Sequence, residues 1–250
     1  MEKFKTWVRS SLFFFLFVVG IISYATAIMV VWPVTSVATR QGMARSWSRF
    51  NRRLLELTCG LGDRVMGLEH LPEPPFILLS KHQSAWETVI FAAIFPPLVL
   101  VLKKSLLNIP FFGWALKATD QIAIDRSRGV EAMRKMQQAG QDHFDQGVSV
   151  LIFPEGTRTA PGSVGKYNAG GISLALSSGL PIVPIAHNAG RFWGRRSFLK
   201  HPGEIQVRIG QPILTAGRPK SDRKALLKET REVIEGMMGE IDREGSAPLP

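Results

Sequence analysis

Phe76-Ile-Leu-Leu-Ser80-Lys81-His82-Gln83-Ser84-Ala85-Trp86-Glu87 joins a short apolar run to a polar turn, and an apolar segment comes directly after. An apolar run of this length bounded by turn residues reads as a strand buried on both faces. The polar turn reads as a helix start, because Ser84-x-x-Glu87 has capping-box spacing, with Ser84 as N-cap and Glu87 at the third helical position. A buried strand feeding a helix is the unit from which α/β proteins are built.

The alternation continues outward along the chain. Residues 97–102, 148–153, 181–186 and 204–209 read as further buried strands, and residues 131–144, 168–178 and 221–243 have helical composition and length. The expected class is α/β, with a central mostly parallel or mixed sheet flanked by helices. Neither an internal repeat nor a Gly/Ser or Pro linker divides the chain after its first sixty residues, so 61–243 is expected to be one domain and 244–250 a disordered tail.

Upstream lies the largest compositional signal. No residue between Arg9 and Arg40 is charged, and about twenty mostly apolar residues from Leu12 to Trp32 are enough for a helix to cross a hydrocarbon core of about 30 Å. Lys3, Lys5 and Arg9 with Ala25-Thr26-Ala27 also resemble a signal peptide, but the apolar run continues through Ile28 and Trp32, where a signal peptide turns polar. An uncleaved hydrophobic membrane anchor within residues 1–60 is therefore expected. Its geometry stays open between a full span and a two-helix anchor in one leaflet, broken at Pro33. Met43, Trp47, Phe50, Leu54 and Leu57 fall on one helical stripe, with Arg45, Arg49, Arg52 and Arg53 on the other side. Such a basic amphipathic helix suits lipid headgroups, or its stripe docks on the domain core, and the two uses are compatible. Basic residues are more numerous after the apolar run than before it, a bias that places the C-terminal side in the cytoplasm.

The 250 residues are 45% hydrophobic, which excludes a disordered chain, and Lys+Arg 31 against Asp+Glu 20 gives a net charge of +11. That surplus predicts an anionic partner: a membrane surface, a phosphorylated small molecule or nucleic acid. Nucleic acid is not expected, because the basic residues concentrate beside the apolar anchor and no nucleic-acid motif is present. A single cysteine, Cys59, excludes an intramolecular disulfide, a Cys-based zinc site and a Cys-x-x-Cys redox pair. Gly162-Ser-Val-Gly-Lys166 fails the P-loop spacing at Ala160 and Tyr167, and no Gly-x-Ser-x-Gly elbow exists.

Three clusters carry candidate chemistry. In a continuous helix His82 and Glu87 would diverge by about 140°, but the turn between them lets the imidazole fold back to the carboxylate. A carboxylate holding one ring nitrogen leaves the other as a general base near neutral pH. In the opposing reading Glu87 only caps its helix. Lys103 and Arg126, at the ends of two strands, are candidates for pairing with a phosphate. Phe153-Pro-Glu155-Gly156-Thr157-Arg158 succeeds a buried strand, at the sheet edge where α/β proteins meet ligands. Glycine there allows backbone approach and arginine supplies charge.

In order and spacing these motifs resemble the 1-acyl-sn-glycerol-3-phosphate acyltransferase family. Its His-x-x-x-x-Asp appears as His82 and Glu87; its Lys-Lys-Ser-Leu-x-x-Ile-Pro-Phe-Phe-Gly runs from Lys103 to Gly113; Phe-Pro-Glu-Gly-Thr-Arg is complete from Phe153 to Arg158; and Val183-Pro184-Ile185 fits a fourth block. Two departures stand out. Glutamate replaces the aspartate, and Gly-x-x-Phe-Ile-Asp-Arg reads Asp120-Gln-Ile-Ala123-Ile-Asp125-Arg126. The resemblance implies an acyltransferase domain over 61–243 that moves an acyl group from acyl-CoA or acyl carrier protein to the sn-2 hydroxyl of lysophosphatidate, giving phosphatidic acid. It implies no metal and no cofactor beyond the donor, and membrane lipids as partners. The implied place is a bacterial inner membrane, with the catalytic domain on the cytoplasmic side. His82 would be the base and Glu87 its orienting acid. Lys103, Arg126 and Arg158 would hold the acceptor phosphate, with Glu155, Gly156 and Thr157 shaping its pocket. Trp and Phe residues near the anchor would line an acyl tunnel or stand in an interfacial belt. Another acceptor, such as a lyso-ornithine lipid, and a catalytically inactive membrane-surface protein remain the alternatives.

Overall fold

A computed structural model of the chain describes residues 2–244. Two helices come first, α1 (Glu2–Val31) and α2 (Val37–Cys59), separated by a short 3-10 turn at Pro33. Ser36 caps α2 by accepting from the Thr39 amide at 3.2 Å, and Gly60, at φ 64°, ends it in the left-handed conformation that glycine adopts without strain. The sheet domain begins with β1 (Leu61–Met66), β2 (Ile77–Ser80), α3 (Trp86–Ile94), β3 (Leu98–Lys103), α4 (Phe112–Ala118), β4 (Ile122–Ile124) and α5 (Val130–Phe144). The chain continues with β5 (Ser149–Ile152), α6 (Gly170–Ser178), β6 (Ile182–His187), α7 (Ala189–Phe192), β7 (Gly203–Ile209) and α8 (Arg223–Glu244).

The strands form one sheet in the order β1-β7-β6-β2-β5-β3-β4, with β6 and β7 antiparallel and the other neighbours parallel. Side chains alternate across it, as the period of two requires. Leu78 of β2 enters the core shared with α2 and α3, whereas Ile77 and Leu79 enter the core shared with α5, α6 and α8. The expected α/β class with a mixed, helix-flanked sheet is what the chain adopts. Two details differ. Helix α3 is assigned from Trp86, one residue later than the capping-box spacing places it, although the box itself forms: Ser84 Oγ accepts from the Trp86 amide at 3.1 Å and Glu87 Oε1 accepts from the Ser84 amide at 2.8 Å. Glu244, assigned by composition to the tail, ends α8, and 245–250 lie outside the described residues.

Helix α1 lies along the α2 side of the sheet domain for most of its length. Near its start Ser10 Oγ accepts from the Lys200 amide at 2.9 Å, and Phe13 meets Trp193 edge-on at 5.7 Å. Lys200 Nζ stands 5.1, 4.8 and 4.9 Å from the ring centres of Phe13, Trp193 and Phe198, a cation–π clamp between helix and domain. Midway, Phe17 packs on Trp47, and toward the end Ala25 and Ile28 face Phe112 and Leu116 of α4. Phe4, Trp7, Phe15, Val19 and Val30 stay exposed, so an apolar strip faces away from the protein.

The arginines of α2 are partly used inside the fold. Arg45 donates to the carbonyls of Ala92, at 3.0 Å, and Phe95, so it satisfies the end of α3, and Arg40 donates to Ala118 O at 2.7 Å at the end of α4. Arg52 makes a bidentate pair with Asp63 at 2.8 and 2.7 Å. The apolar stripe divides likewise: Leu54 joins the core, Trp47 packs against α1, and Phe50 and Leu57 remain exposed.

Candidate active site

The carboxyl end of β2 delivers His82 into a turn whose backbone is firmly held. Lys81 N donates to Ile185 O at 3.0 Å, and Lys81 O accepts from His187 Nε2 at 2.8 Å. His82 N donates to Glu155 Oε2 at 2.9 Å, and His82 O accepts from Thr159 N at 2.8 Å. The imidazole stacks on Phe153, ring centres 4.0 Å apart, and its Nδ1 lies 2.8 Å from Glu87 Oε1. An ionised carboxylate only accepts, so Nδ1 carries the proton and the Nε2 lone pair is free for chemistry.

Glu87 is fully buried in the first turn of α3, and its Oε1 also takes the amides of Gln83 and Ser84, each at 2.8 Å. Burial opposes its charge, but the neighbouring His187, the His82 ring and the Ser84 amide outweigh that and hold the carboxyl below its usual range. His187, also fully buried, is pushed down by burial against the pull of Glu87, and with Nε2–H on Lys81 O its Nδ1 accepts from Ala189 N. With both nitrogens bonded, it serves as a strut. Three donors converge on one Glu87 oxygen, which fits this turn to the longer acid. Shortening by one methylene, about 1.5 Å, withdraws that oxygen from all three. Glu87→Asp is therefore expected to lower kcat by roughly 10- to 100-fold, a partial loss of base orientation, measured as initial rates on folded protein. Wild-type rates would show that the turn adjusts to the shorter acid.

Beneath the dyad lies a buried charge network that the sequence did not reveal. Lys81 is 1% exposed, and its Nζ donates to Glu155 Oε1 at 2.7 Å, Glu235 Oε1 at 2.9 Å and Ser163 O at 3.1 Å. Tyr167 donates to Glu235 Oε1 at 2.9 Å; burial and the charges of Glu235 and Glu155 push its hydroxyl far above the usual range, so it stays protonated. Glu155 was expected to shape the acceptor pocket, and the structure corrects this. Its carboxylate is buried under the turn, bonded to Lys81 and to the His82 amide, and does not line the cavity.

His82 opens onto a cavity of about 650 Å³ that it shares with Lys103, Arg126, Gly156, Thr157 and Arg158. Arg126 Nη1 donates to Gly156 O, and Gly156 is at φ 68°, where a Cβ would stand 3.1 Å from that nitrogen. The motif thus needs glycine both for its conformation and for the approach of Arg126. Arg158 Nε is buried without a partner among the described residues. Deeper walls are apolar, from Ala44 and Trp47 of α2, Val89 of α3, Leu100 of β3 and Leu116 of α4, so Trp47 is a lining residue. Arg195 and Arg196 complete the rim and were not foreseen; the adjacent pair in Gly194-Arg195-Arg196 was the available signal. Among the described residues no three His, Cys, Asp or Glu side chains are placed to hold a metal ion.

A histidine bonded to a buried carboxylate, with cations and apolar walls lining one cavity on an α/β sheet, is an arrangement that suits an O-acyltransferase. A sequence model of the Acyltransferase family matches residues 64–188. The chain is 39% identical over 235 residues to the 1-acyl-sn-glycerol-3-phosphate acyltransferase of Pseudomonas aeruginosa, spanning 94% of this chain and 91% of that one. It is 31% identical over 189 residues to the 1-acyl-sn-glycerol-3-phosphate acyltransferase alpha of Homo sapiens, spanning 74% and 67%. In fold it matches the crystal structure of the 1-acyl-sn-glycerophosphate (LPA) acyltransferase PlsC of Thermotoga maritima with a TM-score of 0.80, at 20% identity and over 97% of this chain and 98% of that one. The chain belongs to the 1-acyl-sn-glycerol-3-phosphate acyltransferase family.

Proposed function

We propose that the protein transfers a fatty acyl group from a thioester donor, acyl-CoA or acyl carrier protein, to the sn-2 hydroxyl of 1-acyl-sn-glycerol-3-phosphate, giving phosphatidic acid. The observation that carries this is the His82 Nδ1 to Glu87 Oε1 contact of 2.8 Å at the mouth of an apolar cavity flanked by Arg126, Arg158 and Lys103. His82 Nε2 takes the hydroxyl proton as the oxygen attacks the thioester carbonyl carbon. The tetrahedral intermediate expels the thiolate, which recovers the proton from the imidazolium, so an ester and a free thiol result. Glu87 orients the ring and balances its transient charge. The cations hold the acceptor phosphate, and the apolar chamber receives an acyl chain. These steps use protein groups alone and need no metal.

Substrate and product are amphiphiles, and α1 fits that need. One face is fixed to the domain and the other is an exposed apolar strip, the arrangement of a helix lying in one leaflet. The enzyme would sit on the membrane surface with its cavity opening toward the lipids, on the cytoplasmic face of a bacterial inner membrane.

The test is a transfer assay on detergent-purified protein, with both donors against a panel of lysolipids and mass-spectrometric product detection. Phosphatidic acid from lysophosphatidate is the expected product. Acylation of a lyso-ornithine lipid alone would retain the chemistry and overturn the acceptor. No product from any donor would overturn the reading as a whole.

A further inference from the structure

The strand order β6-β2-β5-β3-β4 lays the rim of the cavity out in sequence along the carboxyl edge of the sheet. His82 comes after β2, and Arg158, Lys103 and Arg126, at the ends of β5, β3 and β4, stand on one side of it. Arg195 and Arg196 come from a different part of the chain, the loop after α7, which follows β6 on the other flank of β2 in the strand order, and both line the same cavity. Arg195 Nη1 donates to Arg158 O at 3.0 Å, and its guanidinium makes no other hydrogen bond among the described residues. No carboxylate pairs with either guanidinium among the described residues, although Asp and Glu partner many of the other arginines. Arg196 is held at φ 61°, a left-handed conformation that non-glycine residues rarely adopt. Adjacent guanidiniums without counter-charge repel each other, and a bound anion relieves that repulsion through bidentate contacts.

Acyl transfer as proposed above brings two phosphorylated substrates to one histidine, and this inference rests on that reading. Hydroxyl and thioester carbonyl must meet at His82 from different directions, so their phosphates need separate seats. The lining cations come from two groups of elements, Lys103, Arg126 and Arg158 from the ends of β3, β4 and β5 and Arg195 and Arg196 from the loop after α7. We propose that Arg195 and Arg196 form a second anion subsite that takes the phosphate of the donor's 4′-phosphopantetheine arm, the group that acyl-CoA and acyl carrier protein share. The acceptor phosphate keeps the Arg126, Arg158 and Lys103 side. Both arginines lie beyond residues 64–188, the segment that the family's sequence model matches.

Binding and turnover test this separately. In detergent-purified His82→Ala protein, calorimetry compares binding of CoA and of free 4′-phosphopantetheine with and without Arg195→Ala and Arg196→Ala. Both ligands are expected to bind roughly 10- to 100-fold more weakly to the variant, because two charge-assisted contacts are lost. In the enzyme with His82 intact, KM for acyl-CoA and for acyl carrier protein rises by a similar factor and KM for the lysolipid does not rise with them. A rise in lysolipid KM alone would overturn the assignment in favour of the acceptor. Weaker CoA binding with unchanged phosphopantetheine binding would overturn it in favour of the nucleotide phosphates. Unchanged binding of both, with weaker association to anionic vesicles, would make the pair a lipid-headgroup contact. If the wild type acylates nothing yet the two substitutions abolish binding of both ligands, the subsite stands and the reaction assignment alone fails.

Discussion

Replacement of His82 by alanine is expected to lower kcat by about 10²–10⁴-fold, the range for removal of a positioned general base, with the chain still folded. The ring contributes little to the core that other contacts do not supply. It is partly open to the cavity, it stacks on Phe153, and it is one of three donors to Glu87 Oε1, the amides of Gln83 and Ser84 remaining in place. The turn is likewise held by backbone contacts to Ile185, Glu155 and Thr159 that survive the substitution. Chemistry, by contrast, loses its proton acceptor. Lys81 is tied to two carboxylates, and His187 is fully buried with both nitrogens engaged, so neither takes over. KM for the lysolipid is expected to change less than kcat, because the cations proposed to hold its phosphate come from the ends of β3, β4 and β5. Initial rates with far-ultraviolet circular dichroism as the folding control decide it, and a variant retaining a tenth of wild-type turnover would remove His82 from the mechanism.

Local signals were legible in the sequence and distant partners were not. Strands β2, β5 and β6 sit centrally in the sheet with both faces covered, so they read as continuous apolar runs and gave the class. Edge strand β1, Leu61-Gly-Asp-Arg-Val-Met66, buries only Leu61 fully and offers no such run. The His82 and Glu87 pair was readable because five residues and one turn make the contact. Arg45 reads as a headgroup ligand until the carbonyls of Ala92 and Phe95 come within reach. Glu155 was recognised through its motif and given the wrong task for the same reason: its partner Lys81 is 74 residues away, and Glu235 meets Lys81 across 154. A lone lysine ending an apolar strand was the available hint, and nothing in the amphipathic pattern of α8 marks Glu235.

That network gives the second large effect. Lys81→Met is expected to cost about 3–5 kcal/mol of stability, the range for removing one partner of a buried ion pair. The lost charge leaves Glu155 fully buried and Glu235 partly buried, with no other cation within bonding distance of either among the described residues. Thr159 and the His82 amide still donate to Glu155, and Tyr167 to Glu235, but neutral donors cannot offset two carboxylates in a poorly solvated site. Neutralising one acid should recover part of the loss. In Lys81→Met with Glu235→Gln, Tyr167 can still donate to the amide oxygen while one buried charge disappears, so the double variant is expected to be more stable than Lys81→Met alone. If the two positions form one unit, a coupling of about 0.5–3 kcal/mol is expected between them, measured from denaturant midpoints of the four proteins in a thermodynamic cycle. Simple additivity would mean that Lys81 and Glu235 act independently. Turnover should recover less than stability, because Glu155, which accepts from the His82 amide, is held less firmly once Lys81 no longer bonds its other oxygen, and a base displaced by a fraction of an ångström loses rate without unfolding anything.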